Sequence, residues 1–205
     1  MKDLTALLNQ VRACDLCRDH LPLGPRPTLR ASGTARLLII GQAPGTRVHE
    51  TGVPWNDRSG DRLRAWMGIG PERFYDESRI AIVPVGFCYP GRDKNGGDKP
   101  PRPECAPHWH PRLLPALTQV RLTLLVGSYA QAYVLKEKRR KSLTETVQAW
   151  RDYLPETFVL PHPSWRNTAW LRKNPWFEED LVPHLQRRVR LQVADEPEIR
   201  IRSTA

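Results

Sequence analysis

The chain has 205 residues, 40% of them hydrophobic, with a formal net charge of +10, a length that suits one α/β domain and leaves little room for a second. No run of about 18 apolar residues occurs and no charged-then-apolar leader opens the chain, so a soluble, non-secreted, cytoplasmic protein is expected; a monomer is expected as well. The cationic excess points to an anionic partner, nucleic acid before a membrane surface, since no helix carries the Lys-rich amphipathic face that membrane docking uses.

Leu4, Leu7, Leu8 and Val11 recur at helical spacing over residues 2–12 and lead into Cys14 and Cys17. Residues 20–35 are rich in Pro and Gly and read as a surface connection. Leu37 to Ile40 is a short continuous apolar run, the pattern of a strand buried on both faces of a parallel sheet. It stops at Gly41-Gln42-Ala43-Pro44-Gly45, where Gly and Pro force a sharp departure and leave backbone N–H groups to meet a ligand. Ser59 stands where an N-cap is expected for a helix over 58–68, with Leu63, Trp66 and Met67 on one face. Pro71 to Ser78 reads as a short irregular or single-turn piece and Arg79 to Val85 as the second strand.

Phe87 to Pro103 is a long Pro- and Gly-rich loop containing Cys88; loops of that length are usually functional or disordered, and the two flanking cysteines argue for an ordered one. A helix over 104–117 carries Cys105 on its first turn. Leu122 to Val126 is the third strand, followed by a helix from Tyr129 to Leu135. Lys136 to Lys141 is a basic run that reads equally as a solvated turn or a phosphate contact. Ser142 to Glu145 forms a capping-box pattern opening a helix to about Trp150. Thr157 to Leu160 is the fourth strand, ending at Pro161-His162-Pro163-Ser164. A last helix is expected from Trp176 to Leu191, and the tail after Val193 alternates charge and is expected to fray. Strand and helix alternate, so the fold class is α/β: a mostly parallel four-stranded sheet with helices on both faces. A single domain over 1–192 is followed by a flexible tail, 193–205.

Four cysteines in a cytosolic setting point away from disulfides. A Cys-x-x-Cys pair brings two thiolates to one ion or cluster, and Cys88 and Cys105 can complete four-fold ligation. Thiolates without histidine partners suit iron–sulfur or zinc. The plain alternative is two inert buried thiols and an accidental pair. At the strand ends, Gln42, Trp55 and Asp57 follow the first strand and His162 the fourth; in a doubly wound sheet both loops open on the same edge. Asp57 is equally readable as a helix cap, Trp55 as core and His162 as structural.

Taken together, the Gly41–Gly45 loop, Thr51-Gly52, Ser59-Gly60, the four-cysteine spacing and His162-Pro163-Ser164 resemble the uracil-DNA glycosylase superfamily over about residues 10–190. The resemblance is to its iron–sulfur branches, families 4 and 5. It implies a three-layer α/β/α sandwich and a 4Fe–4S cluster on Cys14, Cys17, Cys88 and Cys105, with zinc as the alternative. It also implies an enzyme that cuts the N-glycosidic bond of uracil, or a related deaminated base, in DNA. By that resemblance Gly41, Gln42, Ala43, Pro44 and Gly45 wall the base pocket and Trp55 stacks on the base. Asp57 orients water, His162 donates to uracil O2, and Ser164, Trp165, Arg166 and Asn167 enter the minor groove.

The chain departs from the pattern at three places. Gln42 stands where family 4 has Glu. Pro84 lines up by counting with the family's base-reading Asn. The Gly91–Asp98 region lacks the His of a covalently trapping branch, so no stable DNA adduct is expected. Two other readings are a non-catalytic nucleic-acid-binding relative and a redox protein.

Overall fold

The computed structural model describes residues 4–94 and 96–194; the tail expected over 193–205 lies outside them beyond Ala194. Four strands, β1 (Leu37–Ile40), β2 (Ile80–Ile82), β3 (Leu122–Val126) and β4 (Thr157–Leu160), form one sheet in the order β2-β1-β3-β4. Every pairing is parallel. The apolar runs account for this: all four β1 residues are buried, as a strand covered on both faces requires.

The chain leaves β1 toward β2 and leaves β3 toward β4, so the crossovers diverge and the boundary between β1 and β3 is a topological switch point. One side of the sheet is covered by α3 (Arg58–Met67) and by α9 (Val182–Val193), which packs on α3, β1 and β3. The other connections supply α1 (Leu4–Arg12), which packs on α5 (Cys105–Leu113), and α6 (Ser128–Leu135), which packs on β3. Trp150, Phe74, Phe87, Phe158 and Phe177 are the largest side chains sealed in the core, each worth about 1.5–3 kcal/mol of burial.

Three local expectations are corrected. Asp57, and not Ser59, caps α3: its Oδ1 accepts from the Gly60 amide at 2.8 Å. Regular pairing in β2 covers only Ile80–Ile82, because Pro84 has no N–H to give; Val83 and Val85 still donate to the Ile39 and Gly41 carbonyls. The last helix opens with a π-turn over Phe177–Leu181, directly before Pro183, whose missing N–H breaks the regular ladder.

Two short helices escape the periodicity: α2 (Thr46–Thr51), with only Val48 buried, and α8 (Thr168–Lys173), with no residue fully buried. Between them in the chain are α4 (Pro71–Phe74) and α7 (Leu143–Gln148), the latter capped as expected by Ser142 Oγ on the Glu145 amide.

Candidate active site

A cleft of ≈ 610 Å³ opens beyond the carboxyl ends of the strands at the switch point. Gly41, Gln42, Ala43, Pro44, Gly45, Trp55, Asp57, His162, Ser164, Trp165, Arg166 and Asn167 all border it. Every substrate- and DNA-facing residue singled out from the sequence is therefore in one place. Arg47, Arg58, Arg92 and Asp98 join them.

His162 is positioned by three neighbours. The Ser164 amide donates to its Nδ1 at 3.2 Å, and Asn167 Nδ2 holds its carbonyl at 2.7 Å. Gly127, at the end of β3 with φ 87°, lies behind it; a Cβ there would come within 3.3 Å of the His162 Cβ. Burial holds the imidazole below the ordinary histidine range, while the nearby charge of Asp57 pulls it up. A neutral ring that accepts at Nδ1 carries its proton on Nε2, which makes Nε2–H a donor.

Trp55 is held in a left-handed conformation, φ 57°, which a bulky residue adopts only when its surroundings enforce it. They do. Its carbonyl accepts from Arg64 Nη1 and from the Tyr75 hydroxyl, both at 3.2 Å. Its ring lies against Gly41, where a Cβ would approach Cζ2 to 2.8 Å. The Trp55 and His162 rings are 5.6 Å apart and tilted by 35°, forming one corner of the cleft.

Asp57 spends Oδ1 on the cap of α3, and among the described residues Oδ2 carries no hydrogen bond. The same helix reaches the His162 loop: Arg62 donates to the Ser164 carbonyl at 3.1 Å and to Thr168 Oγ1 at 3.4 Å. Carboxylate and imidazole are thus tied to a common helix. Asp98, exposed at the mouth, is raised above the usual carboxylate range by partial desolvation and by the charge of Asp57, against the pull of Arg92 and Arg166. Sequence reasoning missed it because nothing local distinguishes an aspartate in a Gly-rich loop. The basic run Lys136 to Lys141 does not border the cleft.

Cys14, Cys17, Cys88 and Cys105 line a second cavity together, all four as free thiols. Trp109 Nε1–H donates to Cys14 Sγ at 3.4 Å and the Phe87 amide to Cys105 Sγ at 3.3 Å. Burial and the charge of Glu104 hold Cys17 above the usual thiol range, against the pull of the Arg102 guanidinium. N–H donors aimed at Cys14 and Cys105 suit ligated thiolates. Burial pushes Cys88 up to about 11 and Cys105 up to about 12, so without added positive charge these thiols stay protonated. Among the described residues no group of three or more His, Cys, Asp or Glu is gathered to hold a single metal ion. The four sulfurs border one shared space, and a donor set of four thiolates suits an iron–sulfur cluster or zinc alike.

A model of the uracil DNA glycosylase superfamily matches residues 29–186. The structure is similar to a solution NMR structure of a protein from Methanosarcina acetivorans, provisionally named a uracil DNA glycosylase, at 15% identity and a TM-score of 0.44, covering 78% of this chain and 98% of that one. No helix among the described residues is long and apolar enough to cross a membrane.

Proposed function

The chain belongs to the uracil DNA glycosylase superfamily, and from that premise we propose that it hydrolyses the N-glycosidic bond of uracil, or a related deaminated base, extruded from DNA, leaving an abasic site. The observation that carries this reading is the meeting of Asp57, His162 and Trp55 in one cleft at the switch point.

A base stacked in a duplex is out of reach, so it must be flipped at a cost of a few kcal/mol. Trp165, 72% exposed on the rim with the Arg166 guanidinium 5.6 Å from its ring centre, is available to fill the gap in the stack. The open face of Trp55 receives the base, and such stacking contributes about 1–3 kcal/mol. As the bond breaks, its electron pair goes to the base and negative charge spreads onto O2. His162 Nε2–H donates there, a contact of the kind worth roughly 3–4 kcal/mol. The sugar is left oxocarbenium-like; Asp57 Oδ2 offsets its charge and takes a proton from the water that adds to C1′. Arg47, Arg58 and Arg92 hold phosphates, which makes binding salt-dependent.

In the same reading Cys14, Cys17, Cys88 and Cys105 hold a 4Fe–4S cluster. Held there, it would tie the turn that follows α1 to Cys88 and Cys105. Iron, sulfide and zinc analysis of the purified protein decides between cluster and zinc.

The test is incubation with oligonucleotides carrying one uracil, hypoxanthine, xanthine or mismatched thymine, followed by alkali. Strand scission at uracil is the expected result. Intact strands throughout, with DNA still bound, would leave a binding relative in place of an enzyme.

A further inference from the structure

We propose that the Gln42 side-chain amide reads the edge of the extruded base, selecting bases that present a carbonyl beside an N–H, such as uracil and hypoxanthine, over cytosine. The inference rests on the glycosylase reading and names what that site accepts.

Gln42 borders the cleft together with Trp55, Asp57 and His162. Its Nε2 donates to the Lys99 carbonyl at 3.1 Å. Lys99 follows Asp98, which with Arg92, Asp93, Gly96 and Gly97 lines another wall of the cleft. A backbone carbonyl can only accept, so the amide nitrogen must face Lys99 and Oε1 must face elsewhere. Turned over, the amide would set two acceptor oxygens against each other at hydrogen-bond distance.

Both ends of this contact are anchored. The Gln42 carbonyl accepts from the Gly86 amide at 2.9 Å, and the Lys99 amide donates to the Gly91 carbonyl at 2.9 Å. Gly86 itself has no room for a side chain, since a Cβ would meet the Pro101 Cβ at 2.8 Å and the Ala43 Cβ at 3.3 Å. By contrast, the other side-chain amide on the cleft among the described residues, Asn167, spends its nitrogen on the His162 carbonyl and supports the loop.

Lys99 uses one of the two Gln42 N–H groups. One donor and the Oε1 lone pairs remain, in a fixed order. Side-chain amides of this kind make paired hydrogen bonds with base edges. Uracil offers O4 beside N3–H, and hypoxanthine offers O6 beside N1–H, the same order. Cytosine offers an amino donor beside a bare N3, the reverse. Because His162 and the sugar fix which way the base lies, cytosine can be matched only by reversing the amide, and Lys99 prevents that.

The experiment compares the parent protein with Gln42→Leu and Gln42→Glu. Affinity is measured for oligonucleotides carrying 2′-fluoro-2′-deoxyuridine or 2′-fluoro-2′-deoxycytidine, in which the fluorine suppresses cleavage. Single-turnover excision of uracil and hypoxanthine is measured alongside. Gln42→Leu is expected to melt with the parent, to weaken uracil binding on the order of tenfold or more, and to leave cytosine binding unchanged. Gln42→Glu keeps the size but sets a carboxylate against both the Lys99 carbonyl and O4, so uracil binding falls further. A parent that excises uracil and variants that retain its full uracil preference would overturn the role of Gln42 alone. A parent that excises neither base would take down the glycosylase reading and this inference with it.

Discussion

The Ser164 amide donates to His162 Nδ1 at 3.2 Å, and this one contact decides which ring nitrogen is available to the cleft. Ser164 has φ −60°, a value proline adopts without strain. Ser164→Pro therefore deletes the donor while keeping the backbone path. It also removes the hydroxyl that accepts from the Arg166 amide at 3.3 Å, and Ser164→Ala removes only that. Excision by the proline variant is expected to fall on the order of tenfold below the alanine variant, as when a group that orients a catalytic ring is lost. Single-turnover rates of the two variants measure the difference. Equal rates would mean the tautomer is set by something other than this amide.

Trp55 owes its unusual conformation to Gly60 as much as to its own hydrogen bonds. A Cβ on Gly60 would lie 1.7 Å from the Trp55 carbonyl oxygen, so Gly60→Ala must push that turn away. The expected cost is about 1–3 kcal/mol of stability, read from denaturant midpoints. Excision should fall by more than tenfold in protein that is still folded at the assay temperature, because the displaced ring no longer forms the corner with His162. Trp55→Ala, which leaves Gly60 in place, should mainly weaken binding of an extruded base. A Gly60→Ala protein with parental stability and rate would remove the argument for a strained, preset stacking platform.

Much of this was legible in the chain because strong local patterns dictated it. The strands are continuous apolar runs, and the glycines and prolines at 41–45 and 161–163 mark where strands must break. Helices α2 and α8 were not legible, since six residues with at most one buried side chain leave no period to read. Asp57 and His162 were visible as residue types at strand ends. What holds them was not: Arg62 reaching Ser164, and Gln42 reaching Lys99, join residues 102 and 57 positions apart. Such pairs exist only once the sheet has set the loops side by side. The choice of Asp57 over Ser59 as cap turned on backbone geometry two residues away, which propensity alone does not resolve.

Two histidines make stability depend on acid. Burial holds both His110 and His162 below the ordinary histidine range. His110 Nε2 lies 3.0 Å from the Pro84 carbonyl, beside the cleft. Between their depressed values and about 6.5, the unfolded chain binds protons that the folded protein refuses. Stability therefore rises with pH through that window and is lost as pH falls through it. Protonating His162 also places a hydrogen on Nδ1, facing the Ser164 N–H. Melting temperatures from pH 5 to 7.5 should climb in the parent, and His162→Gln should flatten part of the slope. An unchanged slope in that variant would show that the ring is already accessible to protons in the fold.

Asp57 has one observed duty and one proposed here, and substitution can separate them. Its Oδ1 caps α3 through the Gly60 amide, and an asparagine oxygen serves a cap equally well. Asp57→Asn is therefore expected to unfold with the parent. It cannot carry the charge that offsets an oxocarbenium-like sugar, nor take the proton of the attacking water. Excision should fall by tenfold or more while affinity for uncleaved DNA holds or tightens, since one negative charge near the phosphates is gone. Asp57→Ala removes the cap as well and should lose about 1 kcal/mol of stability in addition. Denaturant melts, single-turnover rates and DNA binding on the three proteins give the full set. A stable Asp57→Asn variant that cuts at the parental rate would leave the carboxylate as a cap alone, and the water would then need another base in the cleft, with Asp98 the nearest candidate by charge coupling.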